Sequence, residues 1–311
     1  MISFILRRIL QMVPTVMAVA FLIFVLFSVI PGNFASTLSD SGRAAMDPQV
    51  MERMRKELGL DDPVYVRFGK YLGQLARLDL GKSYRTQEPV TQIISNRIGA
   101  TLKLAFAAMA FAVLFGVPLG FLAALRPGGL IDSASMVGAV SGLSLPQFWF
   151  GLLMMYLFAL TLGWLPSFGY GDGGLRYLIL PAITLGVSPM ALLARTTRAA
   201  VLEVTGADFV RTARANGMSE TRVVLWHIAR NALVLVVTTI GLQCGALMGQ
   251  AVVVEKLFSW PGIGSMLIDS VSLRDIPVVQ GAILVIVLFF LVVNMLVDIL
   301  YAVIDPRIKY A

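Results

Sequence analysis

Few side chains in this 311-residue chain are of a type and spacing that could carry out covalent chemistry. There is one histidine, His227, and one cysteine, Cys244, too few soft ligands for a zinc or copper site. No H-E-x-x-H occurs, and no nucleophile stands in a recognisable pattern with a base. A phosphate loop would read G-x-x-x-x-G-K-[ST]; "GVPLGFLAAL" lacks the lysine, and "WPGIGSML" lacks both lysine and spacing. No catalytic or metal-ligating residue is therefore assigned. The unusual stretch is "ADFVRTARANGMS", residues 207–219, which sets Asp208, Arg211 and Arg214 within seven residues and ends on Asn216-Gly217. Charges so grouped, with Phe209 among them, suit recognition of another surface, where Arg and aromatic side chains are the usual anchors.

The elements that hold this stretch are apolar. Hydrophobic residues make up 58% of the chain and charged residues 14%, against roughly 45–50% and about 25% in ordinary globular proteins. Six windows contain no Asp, Glu, Lys or Arg: 9–30, 104–125, 133–171, 177–194, 231–254 and 276–297. About 20 apolar residues in a helix cross roughly 30 Å of hydrocarbon. Such continuous runs exclude the alternating pattern of a membrane barrel. The window 133–171 is too long for one span; its end, "GWLPSFGYGDGG", reads as an interfacial loop after a helix at about 138–162. The first window exceeds the 7–15 residues of a signal-peptide core, so a retained first span is expected.

The sequence thus predicts an all-α integral membrane protein with six transmembrane helices. The net charge of +7 fits membrane orientation better than nucleic-acid binding. Arg7, Arg8, Arg126, the six Arg of 195–230, Arg307 and Lys309 share one side, which places both termini in the cytoplasm. Residues 31–99 form a long extracytoplasmic helical segment between helices 1 and 2. There Asp47-Pro48 opens a helix that Gly59 closes, and a second amphipathic helix follows Asp62-Pro63. The organisation is residues 1–30 as N-terminus and first span, 31–99 as the outer segment, and 100–311 as a five-helix core. That core carries a cytoplasmic loop at about 203–222.

Within that loop, "EVTGADFVRTARANG" predicts a short helix stopped at Asn216-Gly217, since glycine accepts the left-handed conformation of a helix end. Ser219 is a candidate cap for the next helix, although Arg222 stands where a capping box needs Glu or Gln. A short helix joining two spans is a lever that a partner can push. An amphipathic loop resting on anionic headgroups fits the same pattern equally well.

The stretch "EVTGADFVRTARANGMSETRVVLWHIARNAL" resembles the cytoplasmic EAA-type motif of bacterial ABC-importer permeases, in the form found in the dipeptide, oligopeptide and nickel family. It is most similar to the B-type, or first, permease subunit. "ILRRILQMVPT", "ELGLDDPVYVRFGKYL", "SLPQFWFGLLMMYLF", "GWLPSFGYG", "LILPAITLG", "VVVEKLFSWPGIGSMLIDSVSLRDIPVVQG" and "VDILYAVIDPRIKY" agree in order along the chain. The motif here reads "RTARANG" and not Glu-Ala-Ala, with Gly217 retained.

The resemblance implies a non-catalytic subunit of the inner membrane. Its partners would be a second homologous permease, two ATP-binding subunits holding ATP and Mg, and an extracytoplasmic solute-binding protein. The chain itself would bind no cofactor. Its coupling helix would present Asp208, Phe209, Arg211, Thr212, Ala213, Arg214, Ala215, Asn216 and Gly217 to the ATPase. Cargo would be dipeptides or oligopeptides, glutathione-like peptides included, or nickel chelates. Polar residues inside spans, namely Gln147, Ser188, Gln243, Gln250 and Asn294, are candidates for the pathway, though helix packing explains each about as well. Gly241, Gly245 and Gly249 form a small-residue face for close helix contact, for which the partner permease is one candidate. An ion-coupled secondary transporter is the competing class; it calls for internal repeats and intramembrane charges, and neither is clear.

Overall fold

A computed structural model describes residues 2–29 and 62–304. The expected helix from Asp47-Pro48 to Gly59 lies outside the described residues, as do Arg307 and Lys309. The described elements are helical: α1 (Ile2–Val29), α2 (Val64–Ala76), α3 (Val90–Leu125), α4 (Leu130–Ser144), α5 (Gln147–Thr161), α6 (Leu175–Thr205), α7 (Asp208–Ala215), α8 (Glu220–Leu257), α9 (Ile263–Ser272) and α10 (Ile276–Ile304). α5 ends in a π-helical stretch, Met155–Thr161, and α8 contains another, Val223–Ala229. Five helices are long and apolar enough to cross a membrane, six if the bent pair α4–α5 counts as one span.

That pair corrects the expectation of one helix at about 138–162. α4 and α5 are bent by 109°. Pro146 is the cause: the ring excludes the helical region for the residue before it, and Leu145 is extended at φ −80, ψ 131. The loop after α5 does fall at "GWLPSFGYGDGG", residues 163–174, as the sequence indicates.

The chain divides into two compact units. The first comprises residues 1–96 and 267–288. In it, amphipathic α2 follows Asp62-Pro63 as expected and packs aromatic side chains on α1. Phe68 meets Phe21 edge-on at 5.4 Å and Phe24 at 5.2 Å, and Arg67 lies 5.9 Å from the centroid of Phe24. The Asp275 carboxylate accepts hydrogen bonds from the Ser83 hydroxyl at 2.5 Å and the Tyr84 N–H at 3.0 Å, tying the loop after α2 to the turn before α10.

The second unit comprises residues 97–266 and 289–311. Its core is built on α3, α6 and α8, with Leu104, Leu180, Leu185, Leu193, Leu247 and Trp260 buried. Glycines let α3 and α6 touch backbone to backbone. A Cβ on Gly116 would stand 2.5 Å from the Met190 carbonyl oxygen, one on Gly186 would stand 2.6 Å from that of Ala108, and one on Gly120 would overlap that of Ala194. The obstacles are helix backbone and cannot rotate aside. Gly120→Ala is therefore expected to destabilise the subunit by about 2 kcal/mol, the usual scale of overpacking. A lowered unfolding temperature of the detergent-solubilised protein is the readout, and an unchanged one would mean that the helices separate freely.

Candidate functional site

The charged stretch forms a helix with two faces. Val210 and Ala213, three apart on α7, are buried with Ala124, Ala200, Val201, Val223, Ile228 and Ala232. Burying that face clips the helix to the chain. The other face is exposed: Asp208, Phe209, Arg211, Thr212, Arg214, Ala215, Asn216 and Gly217. The sequence groups Ala213 with these, and the structure corrects its placement. At 6% exposure it faces its own core and is closed to an outside partner.

The helix end is tightly made. Gly217 adopts φ +78, its N–H donates to the Arg214 carbonyl at 3.0 Å, and the Met218 N–H donates to that of Ala213 at 3.3 Å. This pair of bonds is the Schellman arrangement, in which a left-handed residue turns the chain back over the last helical carbonyls. Arg214 then reaches across the turn to Glu220, with nitrogen–oxygen distances of 2.6 and 3.0 Å. Arg211 pairs with Asp208 one turn earlier at 3.3 Å. Ser219 sits at the cap position of α8, but its side chain makes no capping bond. These exposed pairs contribute little stability by themselves; they fix the orientation of the outward charges.

The candidate pathway residues Gln147, Ser188, Gln243, Gln250 and Asn294 are all half-buried. Gln147 opens α5 and donates to the carbonyls of Thr184 and Leu185 on α6, both at 3.4 Å, so helix packing accounts for it. The glycine face of α8 finds a partner within the chain. A Cβ on Gly241 would meet Val297 at 2.5 Å, and one on Gly245 would meet Phe290 at 3.1 Å and Asn294 at 3.4 Å, both on α10. Gly249 has open space.

Sequence reading misses Glu255, one residue beyond the charge-free window 231–254. It lies near the end of α8 with no solvent exposure. One carboxyl oxygen accepts the Thr101 hydroxyl at 2.6 Å; the other accepts the N–H groups of Gly264 at 2.7 Å and Ser265 at 3.1 Å. Thr101 also accepts the Ile263 N–H at 2.8 Å. Two helices and the start of α9 are thereby pinned at one point. Beside it the Trp260 indole donates to the Ala100 carbonyl at 2.9 Å and packs edge-on against Tyr170 from the 163–174 loop at 4.7 Å. The only sequence signal is a carboxylate beside "SWPGIGS", where closely spaced glycines free backbone N–H groups to converge. Among the described residues, no three His, Cys, Asp or Glu side chains gather as a metal site.

Comparison with known proteins agrees with this architecture. Residues 116–310 match the family described as binding-protein-dependent transport system inner membrane component, and residues 1–105 match the N-terminal family of such membrane components. The chain is 44% identical over 310 residues to the glutathione transport system permease protein GsiC of Escherichia coli O6:H1, covering 100% of both chains. It is 45% identical over the same length, again covering 100% of both chains, to GsiC of Pectobacterium atrosepticum. Among solved structures, an inward-facing MetNI methionine ABC transporter shares the fold with TM-score 0.58, at 20% identity over 70% of this chain and 99% of that one. An amino acid ABC transporter solved with histidines shares it with TM-score 0.52, at 18% identity over 70% of this chain and 95% of that one.

Proposed function

Because the chain belongs to the binding-protein-dependent transport system inner membrane components, we propose that this ABC-importer permease carries glutathione-like and other short peptides across the inner membrane. In this reading it forms the pathway with a second homologous permease, receives cargo from a solute-binding protein outside, and is driven by two ATP-binding subunits that hold ATP and Mg. Both termini and α7 face the cytoplasm, and α7 inserts its exposed face into the ATPase cleft. The observation that carries the coupling role is the division of α7. Val210 and Ala213 anchor it, while Phe209, Arg211 and Arg214 lie on its exposed face. A helix fixed on one face transmits force to the spans on either side, the two-state element that coupling between sites requires. The glutathione-like cargo rests on the name carried by relatives 44–45% identical over the whole chain.

The test has two parts. Gentle solubilisation and pull-down of the chain is expected to recover two ATPase subunits and a second permease. Cells lacking the gene are expected to lose energy-dependent uptake of labelled glutathione or a dipeptide, and vanadate is expected to block that uptake where a protonophore does not. Recovery of the chain alone, or uptake that follows the proton gradient, would point to a secondary transporter. Loss of nickel-chelate uptake with peptide uptake intact would reassign the cargo.

A further inference from the structure

The base of α8 carries a group of polar side chains that the coupling role leaves unused. Met218, Arg222, Trp226, His227, Arg230 and Asn231 line an open cavity of about 710 Å³. Helix geometry gathers them. An α-helix turns every 3.6 residues, but Val223–Ala229 is π-helical, with i to i+5 hydrogen bonding and a wider turn. The wider turn brings 226, 227, 230 and 231 over 222 on one face. The Asn231 amide is held by the His227 carbonyl at 2.6 Å, which fixes that side of the cavity.

The charge there is positive and unbalanced. No carboxylate lines the cavity. Glu220, the acidic residue nearest in sequence, is engaged by Arg214. Among the described residues neither Arg222 nor Arg230 has an ion-pair partner. Trp226 is 65% exposed beside them. Such a set of guanidiniums, imidazole and indole takes a phosphate group that sits next to apolar matter.

Depth identifies the source of that phosphate. The charge-free window of α8 begins at Asn231. At about 1.5 Å per residue, the backbones of Arg230, His227 and Trp226 fall within roughly 8 Å of the hydrocarbon edge and that of Arg222 about 13 Å from it, so that the long arginine side chain is what brings its guanidinium to the headgroup layer. The same turns of α8 present a second cavity on the neighbouring face, about 360 Å³, lined by Val117, Phe121, Val201, Leu225, Ala229 and Leu233 among others. It is almost wholly apolar in lining and of a size for part of an acyl chain. A soluble anion has no use for it. We propose that the foot of α8 is a binding site for an anionic phospholipid. The phosphodiester pairs with Arg222 and Arg230, Trp226 lies against the headgroup, and a chain enters the apolar groove. The site requires only that α8 is a membrane span, and holds whichever side the foot faces.

The test uses the whole transporter reconstituted in nanodiscs of phosphatidylcholine with a minor share of phosphatidylglycerol, one or the other lipid brominated. The signal is the share of tryptophan quenching that Trp226→Phe removes. Brominated phosphatidylglycerol is expected to quench Trp226 well beyond its share of the lipid, an enrichment of about fivefold for each guanidinium. The double substitution Arg222→Gln with Arg230→Gln is expected to abolish the enrichment. Both side chains are exposed, so unaltered co-elution with the partner subunits serves as the folding control. Equal quenching by the two lipids, or an enrichment that survives the double substitution, overturns the proposal. Competition by inorganic phosphate as effective as that by the lipid also overturns it and leaves a free-anion site. Absence of quenching by either lipid means that a protein surface covers Trp226, which overturns it as well. None of these outcomes depends on which cargo the transporter carries.

Discussion

Glu255→Ala is expected to destabilise the subunit by about 4 kcal/mol, twice the loss expected from overpacking at Gly120. The loss has two sources. The N–H groups of Gly264 and Ser265 would be left without an acceptor in a place water does not reach, and each such donor costs roughly 1–3 kcal/mol. The vacated volume adds a cavity beneath the start of α9. The Thr101 hydroxyl is less affected, because it can turn to another acceptor while still receiving the Ile263 N–H. Glu255→Gln should recover about half the loss. Its amide oxygen can serve the two N–H groups, and its NH₂ can donate to Thr101, whose oxygen accepts as readily as it gives. The readout is thermal unfolding in detergent, where the alanine variant should melt roughly 10 °C below wild type. An alanine variant that melts with wild type, or a glutamine variant no better than alanine, would show that the convergence of three donors on this carboxyl does not hold the elements together.

The second large effect is on transport with the fold intact. Phe209 is 46% exposed on the outer face of α7, while its neighbour Val210 is fully buried. Phe209→Ala should therefore leave the melting temperature of the isolated subunit unchanged. If α7 docks in the ATPase cleft as proposed, truncating this aromatic anchor costs about 2 kcal/mol, so the ATPase subunits should bind roughly 30-fold more weakly. Uptake should fall accordingly. Val210→Ala is the opposite case: it should lower the melting temperature first and affect ATPase binding only through a loosened helix. If Phe209→Ala leaves ATPase affinity intact, or if the two variants behave alike, the two-faced reading of α7 fails.

What can be read from the sequence is local. The stop at Asn216-Gly217 is legible because only a left-handed residue allows the Schellman bonds, and Gly217 supplies it. The helix after Asp62-Pro63 and the loop at "GWLPSFGYGDGG" are legible for similar reasons. The break at Pro146 carries a local signal too, but the apolar run on both sides of it masks the bend. What is not legible depends on partners far away in the chain. Glu255 looks like the charged flank of a span, because its donors come from Thr101, Gly264 and Ser265. Gly241 and Gly245 announce a close contact without saying with what; Val297 and Phe290 answer from α10. Ala213 can be sorted from Ala215 only by knowing which side of α7 meets Val223 and Ile228.

The length of the two helices beside α7 has an electrostatic consequence. α6 continues to Thr205, beyond the end of its charge-free window at 194, and α8 starts at Glu220, ahead of its window at 231. Each excess of about 11 residues corresponds to roughly 16 Å of helix. The headgroup layer occupies about 6 Å of that on each side of a bilayer. With both helices along the bilayer normal, the charges of α7 would stand about 10 Å clear of the lipid surface, further than the Debye length of about 8 Å in physiological salt. Most of the negative surface potential of the membrane has decayed at that distance. In that arrangement Asp208, Arg211 and Arg214 would be screened from the bilayer, and the field they sense would be that of whatever protein comes into contact with them.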